Sequence, residues 1–219
     1  VYEISKAEDI AIAEQWMEFQ ATDLQLNMTP IFWGLVRNPP EDRDQELIDK
    51  NIILLNKKFQ IFDNFLNDSE YQILDSLMLA RVDETKNFKW SFCENTAVAN
   101  DNYPTFVHVF WNEFTAWSEY QPNILYHKLD YSKLIRCKAN LHVRGAKFIK
   151  CELHRDVSYH CKTAIYYVNS NNGYTEFENG DKVESVKNRI VVFPSRMLHC
   201  GTNCTDENYR MVININYFD

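Results

Sequence analysis

The chain has 219 residues, of which 45% are hydrophobic and 25% charged, with a formal net charge of -8. That balance is ordinary for a globular domain and excludes disorder as the default state, and the length fits one domain or one domain with an N-terminal extension. No run approaches the roughly 20 apolar residues that span a bilayer, no secretory signal pattern is visible, and the acidic balance argues against tight nonspecific nucleic-acid binding, which rests on Lys and Arg neutralising phosphates. A soluble, intracellular, cytoplasmic protein is expected.

In chain order, Ser5-Lys6-Ala7-Glu8 reads as a capping box, and Ile10, Ala13, Trp16 and Met17 recur at helical spacing, so a first amphipathic helix is expected. From Met28 to Lys58 the pattern weakens. Thr29-Pro30 and Asn38-Pro39-Pro40 are breakers and Glu41 to Asp49 is acidic, so residues 1–58 read as a helix and an irregular arm packed on the core.

The main domain is expected over 59–219. Phe59 to Phe62 reads as a strand. Asn67-Asp68-Ser69-Glu70 starts a helix whose apolar face carries Ile73, Leu74, Leu77 and Met78. Lys89 to Phe92 and Phe106 to Phe110 are strand-like, with Trp90, Trp111 and His108 expected in the core, and Pro122 opens a helix carrying Leu125 and Leu129. Short strands follow at Ile135 to Val143, Lys147 to Asp156, Thr163 to Asn169, Tyr174 to Glu178, Lys182 to Ser185, Arg189 to Pro194 and Tyr209 to Phe218, with turns at Asn171-Asn172-Gly173 and Asn179-Gly180-Asp181. Helices first and then seven or eight strands imply an α+β, mainly β chain with a curled or sandwiched sheet.

The six cysteines, Cys93, Cys137, Cys151, Cys161, Cys200 and Cys204, show no CxxC spacing, so reduced thiols are expected. Cys200 and Cys204 beside His199 make only a weak zinc pattern. Between Arg136 and Lys162 lie Arg136, Lys138, Arg144, Lys147, Lys150, Arg155 and Lys162 against Glu152 and Asp156. This stretch is either a field that draws in an anionic ligand or a solvated basic face.

The chemistry centres on His154-Arg155-Asp156. In a strand, side chains at i and i+2 project to one face, about 7 Å apart at Cα, so two of them can converge on one ion. His199, read as lying in a short turn after the apolar strand 189–194, supplies a third donor. Two His and one carboxylate on one side of a metal, with the other side open, is the arrangement of non-haem ferrous oxygenases. An HxD pair alone arises easily by chance. Arg210 raises its weight, because strand alternation puts Arg210, Val212 and Asn214 on one face, and a guanidinium there needs an anion. Its planar fork matches a carboxylate, so a dicarboxylate chelating iron at its other end fits.

The ordered set His154, Asp156, His199 and Arg210, with Thr163 to Asn169 and Gly173 to Phe177 between, resembles the 2-oxoglutarate and Fe(II)-dependent dioxygenases of the prolyl-4-hydroxylase-like branch, in particular small bacterial and viral members. The likeness runs from Phe59 to Asp219 and is clearest after Asn140. It implies a double-stranded β-helix of the jelly-roll or cupin type with packing helices on one side. It also implies hydroxylation of an unactivated C–H bond using O2, with 2-oxoglutarate converted to succinate and CO2 and ascorbate as an optional reductant. By the same resemblance Tyr167 helps Arg210 hold the distal carboxylate. His142 stands where the family often has an inward Tyr near the cosubstrate, with Asn140 on the same face. Asp156 favours hydroxylation over halogenation, since related halogenases lack that carboxylate. His160, in a loop near the mouth, is a candidate substrate contact.

The closest analogy is a prolyl substrate, peptidyl or free. Alternatives are a small metabolite, a nucleotide or another amino-acid residue, a noncatalytic cupin-like metal-binding module, or a zinc hydrolase or carbonyl isomerase on the same scaffold.

Overall fold

The computed structural model describes residues 25–33, 35, 38–48, 59–79, 89–95 and 103–219. The expected first helix after Ser5-Lys6-Ala7-Glu8 lies outside them. The chain divides into two compact units, 1–58 and 59–219. Among the described residues no helix is long and apolar enough to cross a membrane.

In the first unit, helix α1 (Gln25–Phe32) runs through Thr29-Pro30, which the sequence reads as a breaker. A proline there removes one backbone donor but does not end the element. Pro39 is extended and Pro40 opens a single 3-10 turn to Asp42, where its missing N–H would lack a partner anyway.

The second unit is mainly antiparallel β. Its larger sheet runs β1 (Gln60–Phe62), β9 (Arg189–Pro194), β6 (Lys162–Tyr167), β11 (Tyr209–Phe218), β5 (Lys133–Val143), β3 (Thr105–Asn112) and β2 (Ser91–Cys93), with β4 (Thr115–Ala116) also on β3. A smaller sheet is ordered β10 (His199–Gly201), β7 (Tyr174–Phe177) and β8 (Lys182–Glu184). Two helices, α2 (Asp68–Met78) and α3 (Asn123–Tyr126), belong to the same unit. Asn67 caps α2 as expected: its side chain accepts from the Glu70 amide at 2.9 Å, and its own amide donates to Glu70 at 2.8 Å. Leu74 and Met78 are buried as the helical period requires, whereas Ile73 is 62% exposed because it falls at the edge of the buried stripe. α3 ends at Tyr126, so Leu129 packs on the core from beyond the helix.

Strand alternation splits the central strands between two environments. Met211, Ile213, Ile215 and Tyr217 of β11 join Cys137 and Ala139 of β5, Ala164 and Tyr166 of β6, and Leu74, Met78 and Leu125 of the helices in one apolar cluster. The opposite face contributes Val212, Ile165, Tyr167, Val191 and Phe193 to a second cluster shared with Phe177 and Val183 of the smaller sheet. Trp90 and Trp111 pack against the first cluster, partly buried. Trp111 Nε1 donates to Leu134 O at 3.2 Å.

Two expectations need correction. The segment Lys147 to Asp156 is not a strand but a loop pinned by isolated bridges, Lys150 to Thr202 and His154 to His199. The bridges are four positions apart on one side and three on the other, so the register slips and no continuous ladder forms. His199, expected in a turn, begins β10, where it pairs with Phe177 of β7.

Candidate active site

The slipped register delivers the donors. His154 and His199 exchange backbone hydrogen bonds at 3.0 and 3.1 Å, which holds their rings side by side with centroids 4.9 Å apart. Each ring is oriented from behind. His154 Nδ1 lies 2.9 Å from Glu152 O, and His199 Nδ1 lies 3.2 Å from Met197 O. A carbonyl can only accept, so Nδ1 carries the hydrogen in both rings and each Nε2 turns a lone pair forward. Those Nε2 atoms stand 3.8 and 3.7 Å from the two oxygens of Asp156. Among the described residues this is the only trio of His, Cys, Asp or Glu arranged to share an ion, with donor atoms within 4.8 Å of one another; Cys200 and Cys204 are not in it.

Asp156 is fixed from the sheet. Asn214 Nδ2 donates to Oδ2 at 3.3 Å, and Arg136 Nη1 donates to the Asp156 carbonyl at 3.0 Å while standing 3.6 Å from Oδ1. Burial pushes this carboxyl up, but His199, Arg136, His154 and Lys138 outweigh it and hold the group down at about 2, so it is ionised at neutral pH. Burial pushes His154 below its ordinary value, which favours the neutral, ligating ring.

The pocket that begins at these donors continues past Lys138, Asn140 and His142 of β5 and Val212 of β11 to Arg210. Arg210 is 2% exposed. Its Nε donates to Ser185 Oγ at 2.8 Å and its Nη2 to Thr175 Oγ1 at 3.3 Å, and its guanidinium carbon lies 5.7 Å from the Tyr167 ring centre. Among the described residues no acidic side chain forms an ion pair with it. Gly173 makes room for it, since a Cβ there would fall 2.6 Å from Arg210 Cδ.

Of the residues expected at the site, His154, Asp156, His199, Arg210, His142 and Asn140 line this one pocket. Tyr167 does not line it. Fully buried behind Arg210, it donates to Thr175 Oγ1 at 2.9 Å, the same oxygen that receives the guanidinium. His160 is exposed and outside the pocket wall. His108 sits on β3 with Nδ1 2.8 Å from Lys89 O, away from the pocket.

Sequence reading missed Tyr103, Lys138, Thr175, Ser185 and the hold of Arg136 on Asp156. Tyr103 stacks on His142 with centroids 4.6 Å apart and rings 6° from parallel. Burial, helped by Arg210 and Lys138, pushes His142 down to about 3, so its ring is neutral. Lys138 was legible, because it precedes Asn140 by two on a strand; nothing in the sequence singles out Tyr103.

Four buried polar atoms of residues lining the pocket lack any partner: Asn140 Oδ1, His142 Nδ1, His199 Nε2 and Asn214 Oδ1. Orphans at this density mark a place prepared for a polar guest. The donor set fits a divalent metal, and the unpaired guanidinium fits a carboxylate.

No family model and no curated protein matches the sequence. Solved structures do resemble the fold. A 2OG-Fe(II) oxygenase family oxidoreductase from Burkholderia pseudomallei aligns with a TM-score of 0.57 at 11% identity, covering 78% of this chain and 89% of the other. A prolyl hydroxylase from Trichoplax adhaerens, in complex with a hypoxia inducible factor oxygen degradation domain peptide fragment, gives 0.53 at 18%, covering 81% and 94%. The non-heme alpha ketoglutarate dependent epimerase SnoN from nogalamycin biosynthesis gives 0.52 at 11%, covering 74% and 78%. The chain therefore has the fold of the 2OG-Fe(II) oxygenases, a mainly β double-stranded β-helix.

Proposed function

We propose that the protein is an Fe(II)- and 2-oxoglutarate-dependent oxygenase that hydroxylates an unactivated C–H bond, with prolyl hydroxylation as its closest analogy. The observation that carries this reading is the pairing, in one pocket, of a two-imidazole, one-carboxylate donor set with a buried guanidinium that has no acidic partner. Iron held by His154, Asp156 and His199 supplies the redox chemistry by which 2-oxoglutarate and O2 become succinate, CO2 and a hydroxylated product.

The chain's own residues do the rest. Arg210 takes the distal carboxylate of 2-oxoglutarate, held for that task by Ser185 and by Thr175, which Tyr167 orients. Asn140 and His142 lie between the two ends and offer polar atoms with no other use. Neutral His142 and the Tyr103 ring stacked on it form a wall that adds no competing charge. Asn214 and Arg136 keep the Asp156 carboxylate turned toward the imidazoles. A peptide substrate has its parallel in the Trichoplax complex, and the six free thiols suit a reducing compartment such as the cytoplasm.

The test is anaerobic loading with Fe(II) and 2-oxoglutarate, followed by oxygen in the presence of peptide and metabolite libraries, ascorbate included. Succinate formation with a mass gain of one oxygen in a library member is expected. Iron-loaded protein that makes no succinate with any member is a metal-binding module instead.

A further inference from the structure

β5 sets four polar side chains along the inner face, and Lys138 is the one that the proposed site leaves unused. Register places Arg136 opposite Asn216, Lys138 opposite Asn214, Asn140 opposite Val212 and His142 opposite Arg210. Arg136 is engaged with Asp156, and His142 is stacked under Tyr103. Lys138 lines the same pocket as the donor trio, between Arg136 and Asn140, yet among the described residues its ammonium makes neither a hydrogen bond nor an ion pair. The carboxylate whose charge acts on Lys138, that of Asp156, is already shared by two imidazoles, Asn214 and Arg136.

Charge balance sharpens the point. A divalent ion, the Asp156 carboxylate, a dicarboxylate and the Arg210 guanidinium sum to zero, so with metal and 2-oxoglutarate bound no net negative charge is left to offset Arg136 and Lys138, the two further cations that act on Asp156. A half-buried cation that makes no ion pair carries a desolvation cost that an incoming anion offsets.

We propose that Lys138 recognises a carboxylate of the primary substrate, so that the substrate is an acid whose reacting carbon lies a few bonds from that group. This rests on the oxygenase reading, and it narrows the prolyl analogy to a free acid or a C-terminal residue. The other source of the same chemistry, the metal-end carboxylate of 2-oxoglutarate itself, is separated by experiment.

The test uses manganese-loaded, full-length protein and calorimetry, so no turnover is required. The N-acetyl derivatives of proline, leucine and lysine, each as free acid and as primary amide, are titrated with and without saturating 2-oxoglutarate. Wild type is expected to prefer at least one acid over its amide by about tenfold, the worth of one charge-assisted hydrogen bond. Lys138→Met should erase that preference, Lys138→Arg should keep it, and affinity for 2-oxoglutarate should stay within about twofold in both. Lys138→Met should also melt no lower than wild type without ligands, since it removes a half-buried charge that makes no direct ion pair. Absence of acid preference in every pair, or a preference that survives Lys138→Met, overturns the proposal. A loss confined to 2-oxoglutarate overturns it too, by assigning Lys138 to the cosubstrate. Wild type that fails to bind 2-oxoglutarate sinks the oxygenase reading separately, because the acid and amide comparison on metal alone still decides the role of Lys138.

Discussion

The two faces of strands β5 and β11 have the same backbone and opposite chemistry. Toward the helices, Cys137, Ala139, Met211, Ile213 and Ile215 are fully buried among apolar neighbours. Toward the smaller sheet, the same strands present Lys138, Asn140, His142, Arg210, Asn214 and Asn216, and four of these hold a buried atom without a partner. One face lowers the free energy of folding by removing apolar surface from water. The other raises it, since each orphaned buried polar group costs about 1–3 kcal/mol. A sequence keeps such a face where a ligand completes it.

The comparison breaks most severely if an outer-face change disturbs the site. Ile213→Ala should lower unfolding free energy by about 2–5 kcal/mol, measured by denaturant titration, while leaving 2-oxoglutarate affinity of the folded fraction unchanged. Arg210→Met should do the reverse. It should weaken 2-oxoglutarate binding by about 100-fold, the loss of a bidentate pair, with metal content unchanged and the ligand-free protein no less stable.

An effect confined to acid pH, and near nil at neutrality, concerns His142. The unfolded chain protonates this ring below its ordinary value of 6.5, whereas the folded chain resists until about 3, so the folded state loses stability as pH falls through that window. His142→Phe, which keeps a ring under Tyr103, should flatten the dependence of stability on pH by about 1.4 kcal/mol per unit over this range. Denaturant midpoints at several pH values measure it. The smallest change lies far from either face: Asn67→Ala removes the cap of α2 and should cost about 1 kcal/mol with no effect on ligand binding.

Much of this arrangement was legible in advance, for reasons that differ by element. β9 and β11 begin and end where alternation and flanking turns place them, and the α2 cap follows from Asn67 and Glu70 alone. The inner position of Arg210, Val212 and Asn214 follows from a period of two. Lys147 to Asp156 read as a strand because its residue types suit one, but a ladder depends on register with Gly201 and Thr202, some fifty residues away, which local pattern does not carry. For the same reason His199 was read as a turn although it pairs with Phe177. Thr175 and Ser185 reach Arg210 from the smaller sheet, and small hydroxyl side chains carry no signal until the fold brings them to a guanidinium.

The central claim is that one pocket gathers a metal at one end and a dicarboxylate at the other. A crystal structure of the protein grown anaerobically with Fe(II) and 2-oxoglutarate tests it directly. The account requires iron on His154, Asp156 and His199, with the far carboxylate of the keto acid against the Arg210 guanidinium. Iron on other residues, or a keto acid bound away from Arg210, would contradict it.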